Sequence, residues 1–551
     1  MIRNRRAWVW GALLLAAACI AGCTPRQARS ACPPAKLCLH YGNASEPLTL
    51  DPAKASGTWE QDIIGDLMMG LTQDGPAGEA IPGMASSWET SADGLVWTFH
   101  LRKALWSDGA PVTADDFVFG IRRTLDPKTA SQYASLLYFI KNAEPVNDGK
   151  APLQALGVTA LDPRTLQIRL EHPAPYLIEV AKHQTMFPAP RHAVERWGDN
   201  WVAPGRYVSN GPYVLTDWKL GDHVLATKNP RFYDADKVCI DQVFYYPTND
   251  AISAERRVRR GELDLNRDIQ SNRIAYLRQP DQMPAYVHTY TYLGVAYLAF
   301  NMGPKGVPAL RDRRVRMALD MAIDREFLTR KLLRGGQTPA YTFIPPGVVN
   351  YVSPKPPVWA SWSIERRQAA ARRLLLEAGY GPGHRLHLEI KHRNTPDPML
   401  FMPAIQADWR QIGVAATLAQ NETQIAYDAY RNRDFQVADA AWIADFNDAM
   451  TFLYLQRSST GAQNYGDYSN PVFDALVNQA DHEPDVRRRA ADMAAAERIV
   501  LDDAAVAPLF FYVNKNLVNP DVTGFVDNLI DWHRARFLCF RDAARRRARL
   551  P

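Results

Sequence analysis

Short strands with alternating polarity and amphipathic helices follow one another along most of the chain, and this alternation is the feature that most limits its fold. Residues 96–104 (VWTFHLRKA) and 164–173 (RTLQIRLEHP) alternate as half-buried strands do, whereas 313–333 and 364–380 carry apolar stripes at helical spacing. This mixture indicates an α/β or α+β protein. Because 551 residues are too many for one hydrophobic core, we expect two or three domains.

The amino terminus has the form of a secretory signal. A basic start is followed by an apolar run from Ala7 to Gly22 and then by polar residues, which is typical of a signal peptide rather than a membrane span. The stretch Ile20-Ala21-Gly22-Cys23 resembles a bacterial lipobox, so we predict a signal peptide over 1–22 and a lipid on Cys23. A plain signal with an incidental Cys23 remains the alternative. The first interpretation places the protein in the periplasm or cell envelope, attached to a membrane by its acyl chains only.

Export determines how the remaining cysteines are interpreted. Cys32, Cys38, Cys239 and Cys539 would lie in an oxidising compartment, where an even number permits disulfides. Four cysteines allow three pairings, and we favour Cys32 with Cys38 and Cys239 with Cys539. No cysteine spacing is typical of a zinc site.

The formal charge of +5 does not indicate a nucleic-acid surface. The excess of arginine lies in the leader and in the tail RDAARRRARLP at 541–551, and the body between them is close to neutral. A nucleic-acid partner would require a basic face rather than a basic end. We therefore predict no nucleic-acid binding and treat the tail as a solvated terminus.

Motifs for catalysis are missing from the sequence. It contains no HExxH, no GxSxG, no Walker loop and no GxGxxG after a strand. The histidines of HRLHLEIKH, which are His384, His387 and His392, mix the two faces of a predicted strand and do not form a metal set. An exported chain without a catalytic constellation favours a binding protein that uses no cofactor.

The stretch AAWIADFND at 440–448 contains an unexplained carboxylate. An apolar strand ends at Asp445, which has no basic neighbour in sequence, and a buried carboxylate needs a partner. In a strand, Asp439, Ala441, Ile443 and Asp445 share one face, opposite that of Trp442. Asp445 is then either a structural residue, as a helix cap or in an arginine pair, or the receptor of a charge from outside the chain.

Eight segments, in order, resemble one known family. They are LTLDPAKASG, ASSWETSADGLVWTFHLRKALWSDGAPVTADDFVFGIRR, DPKTASQYASLL, SNGPYVLTDWKLGDHVLATKNPRFYDADKV, RDRRVRMALDMAIDRE, PAYTFIPPG, ADAAWIADFNDAMTFL and FFYVNKNLV. From about Leu39 to Val522 the chain is similar to the solute-binding proteins of bacterial ABC importers, family 5, and within it to the oligopeptide-binding members.

The resemblance implies an α/β fold of the type 2 periplasmic-binding kind, in which two lobes close around a ligand at a hinge and an additional domain is attached. Carried onto this sequence, lobe I comprises 24–67, 191–293 and 514–551, the additional domain comprises 68–190, and lobe II comprises 294–513. The hinge strands are expected near 293 and 513. Closure about such a hinge is a standard response to ligand.

The resemblance also assigns roles in a binding site. Asp445 would receive the α-ammonium group of a peptide, which would lie beside its strand and bond to the main chain near Ala441 and Ile443. Trp442 would form the wall of a side-chain pocket or belong to the core. The remaining ligand-binding positions implied are Asn447, Gly57 and Thr58, the last two through their backbone, and Tyr133 and Tyr512 through their rings.

Two positions depart from the family pattern. Asp439 stands where oligopeptide binders usually offer an arginine to the peptide's carboxyl end, and RNTPDPMLF supplies no clear histidine for the same purpose. An acid there would repel a carboxylate, so we expect a different ligand length or a preference for a basic residue near that end. Gly294 and Ile443 can be cysteines in relatives, and that disulfide cannot form here.

The function expected from the resemblance is that of a peptide receptor, not an enzyme, which acts as a monomer and delivers its ligand to an ABC permease and its ATPase subunits. A family-5 receptor for another small ligand, such as a murein peptide, a metal chelate or haem, is the alternative, because a shared fold does not determine the ligand. A secreted hydrolase and an envelope chaperone are less favoured.

Overall fold

The computed structural model describes residues 32–483 and 485–544. The predicted signal peptide, Cys23 and the basic end of the tail lie outside the described residues. Within them, no helix has the length and apolar character needed to cross a membrane.

In the described part of the chain, strands and helices alternate as the sequence predicts. The strands are β1 (Cys38–Gly42), β2 (Thr72–Asp74), β3 (Ala80–Pro82), β4 (Ala85–Thr90), β5 (Val96–Leu101), β6 (Val158–Asp162), β7 (Thr165–Arg169), β8 (Tyr213–Lys219), β9 (His223–Lys228), β10 (Gln242–Tyr246), β11 (Leu265–Asn266), β12 (Val287–Phe300), β13 (Thr338–Pro339), β14 (His387–Arg393), β15 (Ala415–Asn421), β16 (Val437–Ile443), β17 (Val506–Val518), β18 (Val522–Thr523) and β19 (Cys539–Phe540). The helices are α1 (Thr58–Leu67), α2 (Ala114–Leu125), α3 (Ala143–Asn147), α4 (Leu177–Val180), α5 (Arg191–Trp197), α6 (Ala251–Arg259), α7 (Ile274–Leu277), α8 (Arg313–Ala322), α9 (Arg325–Phe327), α10 (Ile364–Glu377), α11 (Pro396–Gln411), α12 (Thr423–Arg431), α13 (Met450–Leu453), α14 (Pro471–His482) and α15 (Val486–Asp502).

One large mixed sheet runs through both lobes. Its strands follow the order β15-β14-β16-β12-β17-β11-β1-β10-β9-β8, and β13 also pairs with β17. Strands β14 to β16 belong to lobe II, and β1 with β8 to β11 belong to lobe I. The long strands β12 and β17 connect the two halves, so they are the hinge of the molecule.

The pairing of the hinge strands is interrupted at the junction between the lobes. Strand β12 pairs with β17 up to Thr291, opposite Val513, and resumes at Val295, opposite Phe511. The junctions predicted near 293 and 513 fall at this interruption. A break in the ladder removes hydrogen bonds locally, so bending there is easier than within either lobe.

The two faces of the lobe II sheet are covered by separate cores. Val295 and Tyr297 of β12 pack in one apolar cluster, whereas Ala296 and Leu298 pack in the other. Successive side chains of a strand point to opposite faces, so a strand that is apolar at every position has to be covered on both sides.

The additional domain contains a four-stranded antiparallel sheet in the order β4-β5-β7-β6. Its buried residues, such as Phe99 and Ile168, belong to the same apolar cluster as Leu39 and Leu67 of lobe I. The domain is therefore attached to lobe I through a continuous core. Its boundaries at 68 and 190 remain predictions.

The predicted helices are found, with one difference. Within residues 364–380, α10 spans Ile364–Glu377 and ends before Gly379, whose φ is 90°. Residues 313–333 do not form one helix: α8 ends at Ala322, and the side chain of Asp324 accepts the Phe327 N–H at 3.1 Å to begin the next turn. The capping carboxylate of Asp324 thus interrupts the helix, although the apolar stripe of the sequence continues before and after it.

Both preferred disulfides are present. Cys32 is bonded to Cys38, and Cys239 is bonded to Cys539 across 300 residues of chain. The second bond ties the segment that contains β19 to lobe I.

Candidate ligand-binding cleft

Asp445 lies just beyond the end of β16 with its carboxyl group unpaired. Across residues 32–483 and 485–544, no cationic side chain acts on it, and its peptide N–H donates to Thr451 Oγ1 at 3.4 Å. Burial raises the pKa of the carboxyl from 3.8 to about 7, against the opposing effect of a hydrogen bond with Thr451. Because the side chain is only partly exposed, an ionised Asp445 lacks both full hydration and a counter-charge.

The two structural roles considered for Asp445, helix capping and arginine pairing, belong to Asp448. The Asp448 Oδ1 atom accepts the Met450 N–H at 3.0 Å at the start of α13. Arg489 donates two hydrogen bonds to the same carboxylate, at 2.7 and 2.9 Å. Helix capping and arginine pairing are thus both supplied three residues downstream, which leaves Asp445 available to a ligand.

A small cavity adjoins Asp445, and the rest of its wall comes from lobe I and the additional domain. Its volume is about 20 Å³. The other residues of the wall are Gln61, Gly65, Asp74, Lys182, His183, Gln184, Phe187, Trp532 and Arg534. The cavity thus lies between the lobes, at the end of the strand that was predicted to bind ligand.

The other charges in this wall are already compensated. Arg534 donates to Asp74 Oδ2 through Nε at 2.9 Å and through Nη2 at 2.6 Å, and Lys182 Nζ lies 3.3 Å from Asp74 Oδ1. Lys182 also pairs with Glu179 at 2.8 Å. Burial lowers the pKa of His183 to about 4, so its ring is neutral near pH 7. Asp445 is thus a carboxyl group of this wall on which no cation of the described residues acts.

The outer edge of β16 is open where a peptide was predicted to lie. The strand pairs with β12 along its length but with β14 only as far as Ala438. The Ala444 N–H donates to the Leu293 carbonyl at 2.8 Å, towards β12. Since amide directions alternate along a strand, the main-chain groups of Ala441 and Ile443 point to the open edge. This geometry suits the addition of an extended peptide as a further strand.

Tyr133 belongs to the predicted additional domain, and Tyr512 belongs to the hinge strand β17. The Tyr133 ring, from the additional domain, packs on His183 with centroids 5.4 Å apart, and burial together with the negative charge of Asp445 raises the pKa of its hydroxyl. Tyr512 stands at the interruption of the hinge ladder, beside Gly294. Burial raises the pKa of Tyr512 to about 12, although Arg393 acts in the opposite direction.

Asp439 is not an uncompensated carboxylate, as the sequence suggested, but is paired with an arginine. Arg393 donates from Nε to Asp439 Oδ2 at 2.8 Å and from Nη2 to Oδ1 at 3.0 Å, and its Nη1 donates to the Tyr427 hydroxyl at 3.3 Å. Asp439 is fully buried. The pair is neutral as a whole, so Asp439 is not expected to repel a ligand carboxylate. The predicted preference for a basic residue near the carboxyl end of the ligand depended on that repulsion and is no longer supported.

The backbone groups predicted to bind ligand at Gly57 and Thr58 have partners within the protein. The Gly57 N–H donates to Glu60 Oε2 at 2.8 Å and its carbonyl accepts the Glu60 N–H at 3.1 Å, so both groups serve to begin α1. The Thr58 carbonyl accepts from Arg267 at 3.3 Å. These backbone groups are therefore engaged within the protein rather than offered to a ligand.

Trp442 belongs to the core of lobe II instead of a pocket wall. It is 8% exposed, and its indole N–H donates to Thr451 Oγ1 at 3.2 Å. The same Thr451 hydroxyl contacts Asp445, so Thr451 connects Trp442 with Asp445. Asn447 does not reach the cavity of Asp445: its Oδ1 accepts the Val349 N–H at 3.0 Å, and it borders a separate cavity of about 320 Å³.

The additional domain and lobe II touch across the cleft. The hydroxyl groups of Tyr176 and Tyr454 are 2.9 Å apart, and Tyr454 donates to Asp481 at 2.7 Å. The Tyr176 ring also stacks on Phe446, next to Asp445, with centroids 5.1 Å apart. These contacts hold the two sides of the cleft together.

Two lobes on a strand hinge, with an unpaired acceptor and an open strand edge between them, define a solute-binding receptor of the type 2 periplasmic fold. The family model described as bacterial extracellular solute-binding proteins, family 5, middle, matches residues 79–464. The chain belongs to this family.

Individual relatives agree with this membership. The chain is 37% identical to the periplasmic murein peptide-binding protein MppA of Escherichia coli over 88% of its own length and 89% of that protein. It is 35% identical to the periplasmic oligopeptide-binding protein OppA of the same organism, over 89% of its length and 90% of that protein. The structure of Burkholderia pseudomallei OppA is similar at a TM-score of 0.87, with 34% identity over 92% of this chain and 99% of that one.

The comparison with MppA also bears on the state of the hinge. One structure of the Escherichia coli protein superposes at a TM-score of 0.86, with 35% identity over 92% of this chain and 98% of that one. An unliganded open form of an MppA superposes at 0.69, with 36% identity over 92% of this chain and 97% of that one. The contacts across the cleft and these scores together describe lobes that are closed.

Some residues of the site were not found from sequence. Arg393 begins the segment RNTPDPMLF, and a cation at the end of a strand was an available signal for a partner of Asp439. The sequence offers no comparable indication for three other residues of the cavity wall, Gln61, His183 and Gln184. They are ordinary polar residues, and only the fold brings them close to Asp445.

Proposed function

We propose that this protein is the extracytoplasmic peptide receptor of an ABC importer. It binds extended peptides between its lobes, with the peptide's α-ammonium group on Asp445, and delivers them to the permease and its ATPase subunits. The observation that carries the proposal is an unpaired carboxylate at the end of an open strand edge. A ligand ammonium supplies the missing counter-charge. Main-chain hydrogen bonds at Ala441 and Ile443 hold the ligand and do not depend on the identity of its side chains.

The relatives support peptides as the ligand class. MppA is named for murein peptides and OppA for oligopeptides, and both are named as periplasmic proteins. The family consists of solute-binding proteins, which accords with binding rather than catalysis and with the absence of a cofactor requirement.

The amino-terminal sequence supports an envelope location. The lipobox-like stretch that ends at Cys23 accords with a lipid anchor, by which a monomeric receptor stays near its permease. Metabolic labelling with a palmitate analogue tests this part of the proposal. The label is expected on the wild-type protein and not on Cys23→Ser, and an unlabelled wild-type protein would contradict it.

Native mass spectrometry of the protein purified from its own host gives the first test of the ligand class. We expect adducts with the masses of short peptides, which disappear when the protein is unfolded and refolded without ligand. Adducts of a non-peptide mass, such as a haem or a metal chelate, would refute the peptide assignment while leaving the family membership intact.

Calorimetry with a refolded, ligand-free protein tests the role of Asp445. A tripeptide with a free amino terminus is expected to bind, and its N-acetylated form is expected to bind about 100-fold more weakly or not at all, because it lacks a charge-assisted hydrogen bond to the carboxylate. Asp445→Asn should lose the preference for the free amino terminus, and Asp236→Asn, which alters an exposed aspartate of lobe I, serves as its matched control and should bind as the wild type does. Equal affinity for both peptides would refute the assignment of Asp445.

A further inference from the structure

A buried polar network joins the two lobes on the hinge side of the cleft. Lys515 lies on β17, on the lobe I side of the interruption in the hinge ladder, and Ser271 lies in the segment that follows β11 of the same lobe. Asp397, in the first turn of α11, and Gln337, just before β13, belong to lobe II. Bending at the interruption moves the first two residues away from the second two.

Lys515 is the centre of this network. Its Nζ donates to Asp397 Oδ2 and to Ser271 Oγ, each at 3.0 Å, and lies 3.3 Å from Asp268 Oδ1. The side chains of Lys515 and Asp397 are only 11% and 13% exposed. Although burial acts in the opposite direction, the charges of Asp268 and Asp397 raise the pKa of Lys515, which is therefore charged at neutral pH. An ion pair thus bridges the lobes at a place where water has little access to it.

The hydroxyl group of Ser271 is bonded from both lobes. It donates to Asp397 Oδ2 at 2.9 Å, and it accepts from Gln337 Nε2 at 2.9 Å as well as from Lys515. A hydroxyl offers one donor and two acceptor positions, so all three are used. Ser271 and Gln337 are both buried. Opening of the lobes breaks the two bonds to lobe II and leaves these groups to be satisfied by water.

Lys515 is shared by a carboxylate from each lobe. Asp268 Oδ1 of lobe I and Asp397 Oδ2 of lobe II lie 3.3 and 3.0 Å from its Nζ. Burial raises the pKa of Asp268, although the charge of Lys515 opposes this shift. Without the lysine, two negative charges would face each other across the closed lobes and repel. Lys515 is therefore expected to affect closure more than an ion pair on the protein surface would.

We propose that Lys515 is an electrostatic lock between the lobes: its bond to Asp397 forms on closure, stabilises the closed form and slows the release of the ligand. The lock does not select the ligand, because the charged nitrogen of Lys515 is bonded to groups of the protein. The inference goes beyond the proposed function, since it concerns the closing of the lobes and holds for any ligand that the cleft accepts. Loss of the lock is expected to change the ratio of open to closed lobes, and with it the affinity, by about 10- to 100-fold, which is the usual effect of a hydrogen bond between charged groups.

The test compares the wild type with four variants by calorimetry, by the rate of ligand dissociation and by X-ray scattering. The variants are Lys515→Met, which keeps the apolar stem and removes the charge, Asp397→Asn, the double variant of both, and Lys150→Met. The last removes a lysine from an exposed pair with Asp148 and serves as the matched control. The ligands are Ala-Phe-Ala and its carboxyl-terminal amide. Circular dichroism and thermal melting establish that each variant is folded.

We expect Lys515→Met to bind both ligands more weakly by the same factor, about 10- to 100-fold, through faster dissociation. Asp397→Asn should also weaken both ligands equally, and the double variant should bind about as weakly as Lys515→Met, because the two substitutions remove the same bond. The radius of gyration of ligand-free Lys515→Met should exceed that of the wild type, and saturating peptide should remove the difference. Lys150→Met should match the wild type throughout.

Three outcomes would overturn the proposal. Weaker binding of the free acid but not of the amide would show that Lys515 contacts the carboxyl group of the ligand. Effects that multiply in the double variant would show that Lys515 and Asp397 act independently. An unchanged radius of gyration of ligand-free Lys515→Met would show that the lysine does not hold the lobes together.

The remaining cases are also decided. If Lys515→Met does not fold, the same comparisons with Asp397→Asn test the lock. If the wild type binds neither peptide, the proposed function fails, and the scattering of the ligand-free proteins alone tests the lock.

Discussion

Replacing Asp445 by asparagine is expected to make the ligand-free protein more stable while removing its affinity for peptides. The wild-type carboxylate has no counter-charge in the described part of the chain, so its ionisation opposes folding. Asparagine has nearly the same shape and carries no charge. If Asp445 contributes to binding at the expense of stability, its replacement should raise the free energy of unfolding and lower the affinity for peptide.

The magnitude follows from the pKa of the carboxyl. It rises from 3.8 to about 7 on folding, and each tenfold change in proton affinity is worth about 1.36 kcal/mol, which gives about 4 kcal/mol for a site without water. Asp445 keeps part of its surface in the cleft. Solvent screening there leads us to expect about half of this value, roughly 2 kcal/mol.

The sign of the pH dependence is set by the same shift. The folded-state pKa lies above the unfolded one, so the folded state binds the proton more tightly and loses stability as the pH rises from about 4 to about 7. Above pH 7 the carboxyl is ionised in both states and the loss is constant. The difference in stability between Asp445→Asn and the wild type should therefore grow between about pH 4 and pH 7 and then remain level.

Urea unfolding of both proteins at several pH values, after ligand is removed by refolding with the disulfides intact, measures this difference. Calorimetry with a free tripeptide measures binding, which is expected to weaken about 100-fold in the variant. An Asp445→Asn protein that is no more stable than the wild type at pH 8, or that binds the peptide with unchanged affinity, would refute the reasoning.

Three further predictions concern the same cleft. Peptide binding should release a little under half a proton at pH 7, because the ammonium binds the ionised form of Asp445, whose pKa is raised to about 7. At pH 9 binding should instead take up most of a proton, because the free α-amino group of a peptide has a pKa of about 8 and must be protonated to bind; calorimetry in buffers of different ionisation enthalpy measures both changes. Asp439→Asn should destabilise lobe II by about 3 kcal/mol or more, since it leaves Arg393 buried without its counter-charge, and urea unfolding measures the loss. Tyr176→Phe removes the hydroxyl contact with Tyr454 across the cleft and should raise the ratio of open to closed lobes about 2- to 10-fold, seen as a larger radius of gyration in X-ray scattering.

Each of these predictions has its own control. Proton release should vanish in Asp445→Asn, and release that persists would assign the proton to another group. Combining Asp439→Asn with Arg393→Gln should restore much of the lost stability, because the double variant buries no unpaired charge. Unchanged scattering of Tyr176→Phe would show that the hydroxyl contact does not hold the cleft closed.

Much of the fold could be predicted from local patterns. The alternation in VWTFHLRKA and RTLQIRLEHP produces β5 and β7, because a half-buried strand exposes every second residue. The stripe at 364–380 produces α10 for the corresponding reason at helical spacing. The interruption after Ala322 was missed because a capping aspartate and an ordinary aspartate look alike in a periodic stretch.

The candidate site was predictable where a single segment defines it. Asp445 follows an apolar strand without a basic neighbour, and Ala441 and Ile443 share its side of the strand, so position along one strand sufficed. Gly57 and Trp442 were assigned by resemblance alone. The capping of α1 and the packing of lobe II engage them instead.

The sequence by itself determined the class of elements, the family and the isolated carboxylate, since these depend on periodicity and on residues close together in the chain. The tertiary structure alone decided what each charge meets. The parallel pairing of β14 with β16 brings Arg393 to Asp439, and the packing of the additional domain against lobe II brings Gln184 to the cavity of Asp445. Charges and hydrogen-bond acceptors interact through space over a few ångströms, so their partners depend on the register of the strands and the packing of the lobes. Neither the register nor the packing can be predicted from a local pattern of the sequence.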